Sequence, residues 1–269
     1  YLGVVDKFNW LTNHQSKISI SGLSDMEEDL IDAKKLKALL LSYKNESLSE
    51  QQKITKEIAV FDISNFIKET EEFPFHNYPL NQIGGIHLNV VEFMTDVHPI
   101  RNVKEAQAYI DRLNLFDDSF KATLEILNAQ KKAGIFPPKF VFDHVIRQLE
   151  EFLNFKENEN PLRSVFLRKI EDLNLASEVS SDLISKLDNS IENSVTPGFK
   201  LLYDFVKETR KKANQYHGVW SLPNGDEFYA LRLKVYTTTD YSAEDIHNIG
   251  LSEVERITKR MQEIAFDLG

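Results

Sequence analysis

Apolar residues in this chain recur at three- and four-residue intervals over long stretches and almost never alternate one by one, the signature of amphipathic helices rather than strands. From Ser24 to Tyr43 the stripe is Leu30, Ile31, Ala33, Leu36, Leu39 and Leu40, predicting a core-facing helix with Ser24 as N-cap and Glu27 as its capping-box partner. A second helix over 49–73 carries Ile54, Ile58, Phe61, Ile63, Phe66 and Ile67. The short connection 44–48 makes the two antiparallel neighbours. Aromatic residues mixed with Pro and Gly over 73–86 predict a loop packed onto the core. Helical spacing returns at 90–95, stops near Pro99, and restarts behind Asn102 with Ala106, Tyr109, Ile110 and Leu113. Asp117 is read as the cap of a helix reaching Ala133, ended by Gly134. Pro137 and Pro138 open the next, with Phe142, Val145, Ile146, Leu149 and Phe152 on one face.

Further helices are predicted over 162–173, 177–193 and 196–216, the last capped by Thr196 with Pro197 in its first turn. The sole brief alternation is at 17–20. The expectation is an all-α array of about eight to ten helices with packed loops and few or no strands. The polar Asn/Glu-rich stretch 156–161 is the best internal boundary within 1–269, read as a surface loop rather than a linker.

With 269 residues, 42% of them hydrophobic and 28% charged, the chain is long enough to bury a substantial core. The net charge of −10 repels phosphate backbones, which sets nucleic acid aside as a partner. The cations Arg210, Lys211 and Lys212 suit a helix C-terminus. The absence of cysteine excludes disulfides, thiolate metal sites and a cysteine nucleophile. No apolar run reaches the length of a membrane span, and no signal peptide is visible in the opening residues. A first residue that is Tyr rather than Met points to a processed or trimmed product.

Catalytic signatures are sparse. None of His14, His76, His87, His98, His144, His217 and His247 has the His-Glu-x-x-His context that puts two zinc ligands on one helix face beside a general base. Glu244 and His247 form one Glu-x-x-His, whereas a di-iron bundle needs two; Glu244 is equally a first-turn acid at a helix N-terminus. Neither a Gly-x-Ser-x-Gly elbow nor a nucleotide-binding glycine loop occurs. The acidic pair Asp226 and Glu227 reads as a solvated helix start. What remains is the run 218–229, Gly-Val-Trp-Ser-Leu-Pro-Asn-Gly-Asp-Glu-Phe-Tyr, and the helix behind Ser242, capped with Asp245. Ile246, Ile249, Gly250, Val254, Ile257, Met261 and Ile264 form the stripe expected to be buried. Gly250 costs that helix about 1 kcal/mol, which close packing should offset. On physical grounds alone the run is a packed turn between core helices.

The pattern Gly-Val-Trp-x-Leu-Pro-x-Gly-x-x-Phe-Tyr at 218–229 is followed by Tyr-Thr-Thr-Thr-x-x-Ser-x-Glu-Asp-Ile-His-x-x-Gly-Leu-x-Glu-Val-x-Arg-Ile at 236–257. It resembles the central signature of DUF885 proteins, with weaker similarity at 108–113 and 134–138. The resemblance implies a largely helical, zinc-metallopeptidase-like parent about twice this length, of which this is the N-terminal half. Its His-Glu-x-x-Pro-Gly-His type run lies beyond the stretch matched here. It implies no catalytic residue and no metal in this chain, with zinc bound by the full-length parent. It also implies a peptide or small-molecule substrate, the C-terminal half as partner, and a cell-envelope or periplasmic setting, with some relatives lipoproteins. Tyr229, Arg232, Thr238 and His247 are the cleft-wall candidates, because their side chains can hydrogen-bond a substrate backbone. The competing reading is a helical binding or scaffold module without chemistry.

Overall fold

The computed structural model describes residues 16–18 and 22–269, and among them every regular element is helical. The α-helices, in order, are α1 (Leu23–Ser42), α2 (Glu50–Glu72), α3 (Ile86–Glu92), α4 (Val103–Leu113), α5 (Phe116–Lys132), α6 (Lys139–Leu153), α7 (Pro161–Glu171), α8 (Ser177–Ser190), α9 (Thr196–Thr209), α10 (Gly225–Thr237) and α11 (Ala243–Leu268). The fold is therefore all-α, as the periodicity predicts. The alternation at 17–20 and the opening pentapeptide lie wholly or partly outside the described residues. The helices form two compact units, one of Tyr1–Asp29 and Phe75–His217, the other of Leu30–Pro74 and Gly218–Gly269. The polar stretch 156–161 lies inside the first unit, as a 3-10 turn running into the Asn160 cap of α7.

The first unit is a bundle around α9. Phe199 is sandwiched, stacking on Phe152 of α6 at 3.7 Å between centroids and meeting Phe120 of α5 edge-on at 5.2 Å. Leu202 and Val206 follow one and two turns on, and α4 adds Ala106, Tyr109, Ile110 and Leu113 to the same core. Each such large side chain contributes about 1.5–3 kcal/mol by leaving water. The buried Tyr109 hydroxyl donates to the Leu162 carbonyl at 2.9 Å, and burial raises its pKa. The loop after residue 74 is pinned where the Gln130 amide donates to the carbonyls of Phe75 (2.8 Å) and Asn77 (2.6 Å), which is the packed loop the sequence predicts.

Several helix starts differ from the sequence reading. Asn102 does cap α4, accepting from the Glu105 amide at 3.0 Å. Ser24, however, lies inside α1; the cap there is the Asp25 carboxylate, which accepts from Gly22 N at 2.7 Å. Asp117 sits in the first turn of α5 and pairs with Lys121 at 2.6 Å rather than capping. Thr196 caps nothing, because α8 runs into α9 through a π-helical turn, Ile191–Val195. The extra residue of that turn carries Ser194 inward, where its hydroxyl donates to Leu113 O at 2.8 Å and accepts from Asp117 N at 3.2 Å. A polar pair between helices thus replaces the predicted break.

The second unit contrasts sharply. Its buried apolar cluster is Phe73, Phe228 and Leu231, with Val219 and Val235 against it. Lys34 pairs with Glu71 at 2.6 Å, and Lys56 donates to the Tyr43 carbonyl at 2.6 Å, so α1 and α2 run antiparallel as their short connection requires. Yet Ile31, Leu36, Leu39, Ile54, Ile58 and Phe66 are exposed, and α11 buries no residue. The stripes read as core-facing are amphipathic, but apart from Ile67 they are left half-buried or exposed.

Candidate functional site

The run 218–229 folds into a 3-10 turn, Val219–Ser221, that leads into α10. Asn224 takes the left-handed conformation at φ 51, and Gly225 follows with its α-carbon against the Val219 carbonyl. A Cβ at 225 would collide with that backbone, so the Asn-Gly pair is demanded by the turn. The Asn224 side chain makes no cap, and Asp226 and Glu227 put negative charge in the first turn instead.

One face of α10 presents Glu227, Ala230, Leu231 and Lys234 to a groove of about 890 Å³ within the second unit. Leu41 of α1 and Val60 and Phe61 of α2 give it an apolar wall. Ser64 and Asn65 add polar groups, and the 239–242 loop closes one end. The Asn65 Nδ2 is buried there with no hydrogen-bond partner, a donor whose desolvation is uncompensated. Three lysines stand around the groove: Lys56 bonded to Asn45 Oδ1 at 3.0 Å, Lys234 paired with Asp240 at 2.7 Å, and Lys68 held only loosely by Glu72 at 3.9 Å.

The threonine run is a chain of hydroxyls. Thr237 Oγ1 donates to Leu233 O at 2.8 Å and lies 2.8 Å from Thr239 Oγ1, which accepts from Tyr241 N at 3.4 Å. Between them Thr238 sits at φ 55, a left-handed conformation that its branched Cβ resists. Its amide donates to Lys234 O at 2.9 Å, closing the end of α10. Ser242 then opens α11 with a full capping box: its hydroxyl accepts from Asp245 N at 3.1 Å, and Asp245 accepts from Ser242 N at 2.9 Å. The Asp245 carboxyl is held below its ordinary pKa by the Ser242 hydroxyl and amide.

The structure does not gather the four sequence-chosen residues into one site. Tyr229 and Arg232 lie off the groove face of α10; Arg232 is paired with Glu69 at 3.0 Å and stacked over Tyr236 at 4.8 Å. Thr238 is exposed at the turn, and His247 is exposed on α11. The residues that line the groove were missed because seven of the seventeen come from α2, which carries no motif; the orphan Asn65 amide is visible only once α2 and α10 are packed.

A second polar cluster lies in the core of the first unit. Arg112, fully buried over the Phe93 ring at 4.7 Å, donates to Lys17 O at 2.9 Å and to His98 Nδ1 at 2.6 Å. His98 must therefore carry its proton on Nε2, which donates to Glu105 O at 3.2 Å. Burial and then the Arg112 charge drive its pKa down to about 3. These are joints rather than ligands. Among the described residues no group of three or more His, Cys, Asp or Glu is placed to hold a metal ion, so they do not fit a zinc site. No described helix is long and apolar enough to cross a membrane.

No protein with a curated description matches the chain. Two solved structures share its fold. One, described as "the putative lipoprotein from Colwellia psychrerythraea", superimposes with a TM-score of 0.84 at 23% identity over 95% of this chain. The other, from Shewanella oneidensis, is described as "a putative lipoprotein of unknown function" and aligns over 94% with a TM-score of 0.64 at 12% identity. The chain spans only 45% and 42% of their respective lengths. The pattern of the family described as "Bacterial protein of unknown function (DUF885)" matches residues 2–269, and the chain belongs to that family.

Proposed function

We propose that this chain is the helical half of a larger hydrolase and that the groove of the second unit forms one wall of its substrate cleft. The observation that carries the reading is the groove itself: about 890 Å³, lined by signature residues of α10 and the 239–242 loop, with an unpartnered amide donor. That volume suits a short peptide or a comparable small molecule, and mixed apolar walls with few polar groups are typical of such sites. Asn65 donates to a substrate carbonyl once its side chain turns out of the wall, Ser64 and Thr239 offer hydroxyls, and Lys68 takes a terminal carboxylate. The zinc that the family resemblance implies would be held by residues outside this chain. Tyr229, Arg232, Thr238 and His247 do not line the groove; in this reading they would meet substrate only outside it. The descriptions of the two structural relatives support an envelope setting.

The test is peptide hydrolysis by the product of the natural gene, read to its own stop codon. Asn65→Leu is expected to raise KM about tenfold, the worth of one substrate hydrogen bond, with an unfolding midpoint no lower than that of the unaltered protein. His247→Ala is expected to lower turnover without unfolding the protein. An unchanged KM for Asn65→Leu overturns the groove as substrate wall. Hydrolysis that survives chelation removes zinc from the reading, and peptide binding without hydrolysis leaves the scaffold function.

A further inference from the structure

The helix α11 is a single amphipathic rod that buries none of its residues. Gly250, Val254, Ile257, Met261, Ile264 and Leu268 follow one another at steps of four and three residues, the seam repeat of packed helices. Val254 is 63% exposed and Met261 65%, where residues at seam positions of a finished protein are buried. Soluble proteins rarely leave a contiguous face of this kind open. Gly250 adds a second sign: a Cβ there would meet no atom within 4 Å, so the helix bears the cost of glycine with no packing to offset it. The opposite face is complete, with Arg256 on Glu253 at 2.7 Å and Arg260 on Glu263 at 3.2 Å.

Two observations choose the occupant. The stripe is wider than a two-stranded seam: Leu251, Thr258 and Ala265 extend it along one side, the breadth of a helix packed within a bundle. Self-pairing in parallel would set Glu253 and Arg260 beside Thr258 and Ala265 of a second copy, with no ion pair to specify it. The structural relatives meanwhile carry more than half of their length outside the region this chain matches. We infer that the stripe from Gly250 to Leu268, with Leu251, Thr258 and Ala265 beside it, is the docking face for that remaining polypeptide, which presents an apolar helical surface with a bulky side chain seated over Gly250. This rests on the chain being one half of a longer protein, and it holds whether or not that protein hydrolyses peptides.

The chain has no cysteine, so a single introduced thiol reports its own burial. Met261→Cys and Ile257→Cys on the stripe are compared with Lys259→Cys on the polar face, by alkylation rate, in the 269-residue chain and in the full product of the natural gene. In the full product both stripe thiols should react at least about tenfold slower than the Lys259→Cys thiol, while in the 269-residue chain all three should be alike. Equal rates in the full product overturn the inference. So does stripe protection in the 269-residue chain that grows with its concentration, which assigns the face to a second copy. Using two stripe positions guards against one that disturbs folding. Asn65→Leu leaves the alkylation pattern unchanged, so failure of the groove and failure of the dock are read separately.

Discussion

Thr238 and His98 show how much one residue's surroundings decide. Thr238 is held at φ 55 although its Cβ is branched, at a cost of about 1 kcal/mol. Thr238→Gly should therefore raise stability by about 1 kcal/mol, seen as a higher urea midpoint at unchanged m-value; a lower midpoint would mean the hydroxyl is worth more than the strain. His98 is buried neutral with its pKa near 3, and His87, buried against Gln148, is lowered too. An unfolded histidine titrates near 6.5, so between that value and about 3 the unfolded chain binds more protons than the folded one. Stability from these residues is fully present above pH 6.5 and falls as the pH drops, by up to about 1.4 kcal/mol per pH unit for each histidine. Urea unfolding at pH 7, 6 and 5 should show this slope, and His98→Gln should reduce it by the share of one proton. A slope unchanged by that substitution refutes the assignment.

At the scale of the element, capping and periodicity were legible in the sequence, while coverage was not. Ser242 with Asp245 and Asn102 at α4 were readable because a cap needs only residues adjacent in the chain. Ser242→Ala should cost about 1 kcal/mol, appearing as faster amide exchange in the first turns of α11; unchanged exchange would show the box to be idle. Ser24 lost its role to a neighbour, the Asp25 carboxylate on Gly22 N, whereas Asp117 and Thr196 failed as caps for a tertiary reason. The Ser194 hydroxyl between Leu113 O and Asp117 N makes it more favourable to carry the helix through 191–195 than to end it. The stripes of α1, α2 and α11 have correct periods and little burial, Ile67 of α2 excepted, since a period reports which side of a helix is apolar and not what lies against it.

Across the whole chain the apolar side chains are unevenly spent. The first unit closes a continuous core from α4 to α9, and the second holds a small cluster around Phe73 and Phe228. Amide exchange in the 269-residue chain should follow this division, with α4 and α9 protected to near the global limit and α11 exchanging through local opening. Uniform protection would show that the second unit gains stability from contacts beyond its own cluster.

The sequence alone determined the helical class, the caps closed by neighbours in the chain, and the signature at 218–257, because each depends on spacing along the backbone. Tertiary structure alone decided where the groove lies, that Arg112 and His98 are a buried joint, and that Arg232 is tied to Glu69. Those depend on residues far apart in sequence meeting in space, and no local pattern encodes which desolvated groups find partners and which, like the amide of Asn65, do not.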